Sequence, residues 1–421
     1  MAKGFSWPSL NVQIFLAALL GLAIGYGLQG LQQEHEVRVT VLYFSNLAGN
    51  LFIDLLKMVL VPLIFASIVV GISSLQRHHQ ARRVWQLTLV FFVCTMALAI
   101  VLALVMTNLV KPGQGITLAM FSQYTEAFAV QSFSPGDFAS QFLRSLFQNP
   151  FAALAQGNIL AVVTFAIILG VALVMGGENC QTVVRLLEEL LSLLMRIVGW
   201  IMWLAPLGIV ALLTRLVATQ DSELLGSLGG FIVLIFATTL IHGVVVLPLI
   251  LYLFTRKSPL WFWRGARPAL ITAFATSSSS ATLPITLQCT DQMGVSQRVS
   301  RFVVPLGATI NMDGTALYEA AAALFVANLV GVDLSLGQQL VVMLMAMVAS
   351  LGAPGIPSAG MVTMVMVLQA VGLPAEAIAI LLPIDRLLDT IRTSVNVQGD
   401  MIGSVLVDHW VAAESNPQTE R

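Results

Sequence analysis

Charge is what this sequence has least of. Asp, Glu, Lys and Arg together make up 10% of its 421 residues, against roughly 25% in a soluble domain. That scarcity excludes an ordinary soluble globular protein. The net charge of −1 leaves no basic footprint for nucleic acid, so no nucleic-acid partner is expected. Cysteine is also sparse. Cys94, Cys180 and Cys289 lie far apart, which excludes a disulfide framework and any metal-ligand spacing, and they read as free thiols packed in helices. The first apolar stretch, "VQIFLAALLGLAIGYGLQGL", has no small-residue cleavage site behind it. It therefore reads as a spanning helix and not as a removable signal.

What the chain has in excess is apolar length. Hydrophobic residues make up 57% and the mean hydropathy is +0.89, which implies a polytopic protein partnered by a lipid bilayer. About eight to ten spans of roughly 20 residues would fit. Apolar segments lie near residues 11–31, 44–75, 84–110, 158–177, 183–217 and 227–255. A stretch rich in Ser, Phe and Gln around 113–154 reads as an extended loop with interfacial helices. Arg77, Arg82 and Arg83 follow the second segment; Arg256, Lys257, Arg264 and Arg267 follow the sixth. The positive-inside rule puts both groups, and the N-terminus with Lys3, on the cytoplasmic side. Trp261 and Trp263 beside Arg264 fit an interfacial anchor.

Beyond residue 268 the pattern changes. "ITAFATSSSSATLPITLQCT" is apolar at both ends and polar in the middle, which fits a re-entrant hairpin better than a single span. Thr282 or a nearby Ser is expected to cap its second half, with Pro284 in the first turn. "FVVPLGATINMDGTALYEAAAALFVANLV" is long enough to span but is broken at Asn311–Gly314. "LVVMLMAMVASLGAPGIPSAGMVTMVMVLQAVGL" repeats the hairpin plan with Gly and Pro at its tip. The order hairpin, helix, hairpin, helix suggests an inverted repeat of pattern, with a binding site where its halves meet.

The last segment, "DRLLDTIRTSVNVQGD", carries five charges between apolar runs. On a helix, Asp385, Asp389, Arg392, Asn396 and Asp400 fall within a stripe about 80° wide, bordered by Thr393. Charge at the bilayer centre costs about 2.5–3.5 kcal/mol on insertion scales, so such a stripe faces a cavity or partners. A salt-bridge lattice that only joins helices is one reading. The stripe holds more acid than base, however, and Asp313 and Glu319 add to it. Surplus buried carboxylate needs a cation: a proton, a metal ion or a substrate ammonium. Unwound backbone at "NMDGT" frees carbonyls for a hard monovalent ion. The planar fork of Arg392 suits a carboxylate, and Asp389 suits an ammonium. Together they describe a pocket for an acidic amino acid. His242 reads as a buried neutral histidine, and Arg386 lies off the stripe, beside lipid or Asp385. An intramembrane aspartyl protease would want Gly where Val397 stands, and the Ser tract lacks a nucleophile elbow.

"SSSSATLP", "NMDGTALYEA", "GIPSAG" and the Asp385–Asp400 pattern resemble the dicarboxylate/amino acid:cation symporter family, which includes the glutamate transporters. "GNILAVVTFAIILG", "MWLAPLGIVALL" and "LVKPG" extend the resemblance over nearly the whole chain. It implies an all-α elevator-type fold with eight transmembrane helices, two re-entrant hairpins and inverted repeats, assembled as a homotrimer in the cell membrane with both termini cytoplasmic. The implied division runs as follows: scaffold helices 1 and 2 at 1–83, and helix 3 of the transport domain at 84–113. The loop and scaffold helices 4 and 5 occupy 114–224, and helix 6 of the transport domain 225–257. The first hairpin spans 258–296, helix 7 297–332, the second hairpin, as gate, 333–373, helix 8 374–411, and a cytoplasmic tail 412–421.

The implied activity is import of glutamate or aspartate coupled to sodium, protons or both, with no other cofactor and no enzymatic step. The alternative is a C4-dicarboxylate or neutral amino acid symporter of the same family. Substrate contacts would come from Ser279, Thr315, Ile356, Gly360, Asp389, Arg392, Thr393 and Asn396. One sodium site would use Gly307, Asn311, Asn396 and Asp400. A second would use Thr309, Ser350, Leu351 and Ala353, and a third Thr95, Asn311 and Asp313. At that third site the family usually has Tyr and Ser where this chain has Phe92 and Met96, so two oxygen ligands are missing. Glu319 matches the proton-carrying glutamate of the animal glutamate transporters.

Overall fold

The computed structural model describes residues 10–73, 82–115, 146–156, 158–219, 222–351, 355 and 358–415. Among them there is no strand. The first helices are α1 (Leu10–Gln29), α2 (Glu36–Ser73), α3 (Arg82–Val110), α4 (Pro150–Gln156), α5 (Ile159–Gly176), α6 (Gln181–Trp203) and α7 (Ala205–Thr219). Then come α8 (Ser222–Ile241), a π-helical turn at His242–Val246, α9 (Leu247–Thr255), α10 (Pro259–Thr276), α11 (Ser279–Gln292), α12 (Gln297–Ile310) and α13 (Asp313–Val330). The last are α14 (Leu336–Leu351), α15 (Ala359–Ala370) and α16 (Ile378–Ser415). Among the described residues, four runs are long and apolar enough to cross a bilayer by length and composition: Val12–Gln29, Arg83–Val110, Thr164–Trp203 and Gly226–Thr255. Much of the loop expected around 113–154 lies outside the described residues.

The exterior is itself apolar. Phe15, Leu19, Tyr43, Leu47, Val233 and Leu240 are all exposed, an arrangement suited to lipid and not to water. With no hydrophobic drive between helices in such a solvent, close packing must hold them together. Gly21 and Gly25, one turn apart on α1, serve that end. A Cβ at Gly21 would lie 2.8 Å from the Val210 carbonyl oxygen, and one at Gly25 2.6 Å from Val217 Cβ, so α1 and α7 meet backbone to backbone.

One segment differs from expectation. The apolar run 183–217 divides into α6 and α7 at Leu204. Pro206 sits in the first turn of α7, where its missing N–H goes unmissed.

Among the described residues, two large apolar clusters fill the interior, beside a small third one at Ala153, Ala161 and Val162. One gathers Phe231, Tyr318, Phe325 and Leu388; the other gathers Phe92, Phe262, Val303 and Met401. Helix α16 passes from the first at Leu388 to the second at Val395. The break between α12 and α13 likewise falls between Ile310 in the second and Ala316 in the first. The buried polar residues lie at that seam.

Candidate functional site

α10 and α11 form the first hairpin. Ser277 turns the chain in a left-handed conformation (φ 51°). Ser278 caps α11 by accepting from the Ala281 N–H at 3.1 Å. The cap is thus a full turn ahead of Thr282, and Pro284 falls inside α11 and not in its first turn. A side chain at residue 278 meets the orphan N–H groups directly, which one at 282 cannot. Ser279 opens α11 and is buried. The tip touches the second hairpin: the carbonyl of Gly355 accepts from Ser278 Oγ at 2.7 Å and from the Ser280 N–H at 3.1 Å. Ile356 and Ala353, both expected at the site, lie outside the described residues.

Arg392 is the largest fully buried side chain among the described residues. Its Nη2 donates to Asp385 Oδ1 at 2.6 Å and to Asp389 Oδ1 at 3.0 Å, and its guanidinium carbon lies 3.9 Å from the centre of the Tyr318 ring. Its Nε and Nη1 have no hydrogen-bond partner among the described residues. One edge of the fork is therefore held while other donors remain available. Asp389 Oδ2 also accepts from the Ser358 N–H at 2.8 Å, which ties the second hairpin to α16. Asn396 accepts from the Gly314 N–H at 2.7 Å and donates to Thr315 Oγ1 at 3.3 Å. A Cβ at Gly314 would lie 2.6 Å from the Arg392 carbonyl oxygen, so only glycine lets α13 approach this closely. A Cβ at Gly360 would lie 2.9 Å from Thr315 Cγ2 and 3.8 Å from Arg392 Nη1. Thr315, Gly360, Asp389, Arg392 and Asn396 thus surround one small region, with Thr393 buried on the same helix.

The remaining carboxylates find neutral donors. Asp400 Oδ1 accepts from Asn311 Nδ2 at 2.9 Å, and the same nitrogen lies 3.2 Å from the Asn396 carbonyl. Asn311 Oδ1, also buried, has no donor among the described residues. Gly307 packs against the Asp400 carboxylate. Asp313 accepts from Thr95 Oγ1 at 3.2 Å and lies 3.0 Å from His242 Nε2. The π turn at His242–Val246 disturbs the regular bonding of the helix, and Gln398 Nε2 donates to the Gly243 carbonyl there at 2.6 Å. Phe92 and Met96 are wholly buried, and Phe92 sets apolar surface beside Gly307 and Asp400. Glu319, fully buried, accepts from Thr363 Oγ1 and, at 3.3 Å, from Ser350 Oγ. Thr309, by contrast, is exposed. Among the described residues no three His, Cys, Asp or Glu side chains gather as a metal cluster. The donors here are amide, hydroxyl, carbonyl and single carboxylate oxygens, a set suited to a hard monovalent cation.

Sequence reading missed Tyr318, Thr363 and Gln398, and it gave His242 no partner. Tyr318 had a signal: it stands beside Glu319 and three residues past Thr315 in an otherwise apolar run. The others act through contacts 44 to 155 residues distant, which no local pattern carries.

A model of the sodium:dicarboxylate symporter family matches residues 10–410. The chain belongs to this family. An excitatory amino acid transporter of Caenorhabditis elegans is 35% identical over 97% of this chain and 90% of its own length. Human excitatory amino acid transporter 3 is 33% identical over 96% of the chain and 87% of its own. Mouse excitatory amino acid transporter 2 is 34% identical over 96% and 79%. Membership accounts for the apolar exterior: the family's chains are membrane-embedded transporters.

Proposed function

We propose that this protein is a secondary active symporter that imports acidic amino acids, glutamate or aspartate, with sodium, protons or both. The observation that carries the reading is Arg392, buried, with Nη2 fixed by Asp385 and Asp389 and with Nε and Nη1 available. Those free donors suit the side-chain carboxylate of a substrate, and Asp389 suits its ammonium. An acidic amino acid uses both groups, whereas a C4-dicarboxylate brings no ammonium to Asp389. The names of the relatives support the same substrate class.

The coupling ions are assigned to the carboxylates that lack a cationic guanidinium and to a set of backbone carbonyls. Asp400 with Gly307, Asn311 and Asn396 is one sodium site. Thr309, Ser350, Leu351 and Ala353 form a second. Thr95, Asn311 and Asp313 form a third, weakened by Phe92 and Met96. Glu319 is the proton carrier. Eight spanning helices and two hairpins, an elevator movement of helices 3, 6, 7 and 8 against a trimeric scaffold, and cytoplasmic termini complete the reading. The contact of both hairpin tips at Gly355 supports a closed arrangement of the gate. Uptake of labelled aspartate into proteoliposomes, with sodium and proton gradients imposed separately, tests it. Uptake under neither gradient defeats the symport reading.

A further inference from the structure

A groove of ≈ 470 Å³ lies between α1, α7, α8 and α16. Its walls are almost wholly aliphatic: Ile14, Ala18 and Leu22 on α1, Leu213 on α7, Leu228 and Ile232 on α8. Among the described residues lining it, Arg386 alone is charged. From Ile14 to Tyr26, both in the lining, α1 advances about 18 Å at ~1.5 Å per residue. One leaflet of a bilayer is about 15 Å of hydrocarbon, so the groove matches the reach of an acyl chain. Phe15, Leu19 and Tyr26 at its rim are 57%, 49% and 56% exposed. On a spanning helix that exposure is toward lipid, so the groove is open to the membrane along its side.

We propose that this groove holds an anionic phospholipid, one acyl chain lying along α1 and α8 and the phosphate on the guanidinium of Arg386. A guanidinium matches a phosphate in charge and in planar donor geometry, and an arginine's aliphatic stem is suited to an apolar wall. Arg386 also lies 3.8 Å from Asp389 Oδ2, whose carboxylate is already bonded by Arg392 and Ser358. A phosphate on Arg386 would draw this second cation from Asp389, so the lipid and the substrate region share one electrostatic link.

The test is to reconstitute the full chain in vesicles of equal parts phosphatidylglycerol and phosphatidylcholine, re-extract it gently, and count retained lipid per chain by mass spectrometry. Wild type should retain phosphatidylglycerol over phosphatidylcholine by about fivefold, the scale of one basic side chain near an anionic surface. Arg386→Gln should abolish the preference, and Arg386→Lys should keep most of it. Gly229 lines the groove, and a Cβ there meets nothing within 4 Å. Gly229→Leu therefore starts from open space at its Cβ, adds bulk to the groove and should lower retention of both lipids. Equal retention of the two lipids by wild type, an unchanged preference in Arg386→Gln, or undiminished retention in Gly229→Leu would each overturn the proposal. So would retention of neither lipid by wild type, as when a second copy of the chain covers this face.

Discussion

The two ends of the polar stripe on α16 solve one problem differently. From Asp385 to Arg392, carboxylates meet a guanidinium: Arg392 binds Asp385 and Asp389, and Arg386 stands beside them. From Asn396 to Asp400, and across to Asp313 and Glu319, carboxylates meet amide and hydroxyl groups and one imidazole. The first end is a charge lattice with spare donors, fit to receive a molecule bearing both signs. The second is acceptor-rich, fit to receive a bare cation. A single helix thus presents two chemistries about two turns apart, and each can be broken without the other.

The largest effect should come from Arg392→Cys. Removing one partner of a buried pair costs about 3–5 kcal/mol, and here it strands Asp385 and Asp389 as well as the substrate carboxylate. Acidic substrate affinity should fall more than a hundredfold in binding assays on purified protein, while a neutral amino acid such as serine gains entry. An aspartate affinity equal to wild type would remove Arg392 from the pocket and erase the distinction drawn between the two ends.

Asp389→Asn should act next. It removes the counter-charge to an ammonium and one acceptor of Arg392, a loss of about 2 kcal/mol or more, some thirtyfold. Amino acid uptake should suffer much more than any uptake of succinate or malate. Measuring both substrates in one preparation decides it, because equal losses would make Asp389 a fixture of the lattice and not an ammonium ligand.

The polar stripe itself was legible because period 3.6 converts spacing directly into a face, and Asp385, Asp389, Arg392, Asn396 and Asp400 obey it. The break at Asn311 was legible because Gly and Asp interrupt an apolar run. The hairpin cap falls on one of the serines expected, Ser278, but four consecutive serines give no local preference among themselves, so the helix start was not fixed and Pro284 lies inside α11 instead of in its first turn. Tyr318 stood out by its place beside Glu319, but its contact with Arg392, like that of Thr363 with Glu319, was not legible: both depend on how α13 lies against α15 and α16. The split at Leu204 was missed because hydropathy stays high on both sides of Pro206.

The third perturbation moves to the cation end. Glu319→Gln imitates a protonated carboxyl, offering an acceptor oxygen on one side and an N–H donor group on the other. The Thr363 and Ser350 hydroxyls can rotate to match it. Substrate binding and exchange should stay within about threefold, the scale of one neutral hydrogen bond. Net uptake should lose its response to an imposed proton gradient. Wild-type uptake that ignores such a gradient at constant sodium would return Glu319 to a structural role.

The smallest effect is expected at Phe92, and it sharpens the comparison by gain in place of loss. Phe92 is wholly buried, and its Cζ would stand 3.0 Å from a Cβ built on Gly307, a position that also crowds the Asp400 carboxylate. Phe92→Tyr therefore carries a hydroxyl toward the acceptor-rich end, where it can bond Asp400 or face a cation. Overpacking opposes it by about 1–3 kcal/mol, and a hydrogen bond to a charged group returns about 1.5–3 kcal/mol. The terms nearly cancel in stability but not in ion binding, because the added oxygen counts only where the cation sits. The sodium concentration for half-maximal uptake should fall about two- to fivefold, with aspartate affinity at saturating sodium unchanged. In an Asp400→Asn background the gain should vanish. A sodium dependence that Phe92→Tyr leaves untouched while Asp400 is intact would place Phe92 outside the cation site, and the apolar surface of Phe92 and Met96 would then be packing alone.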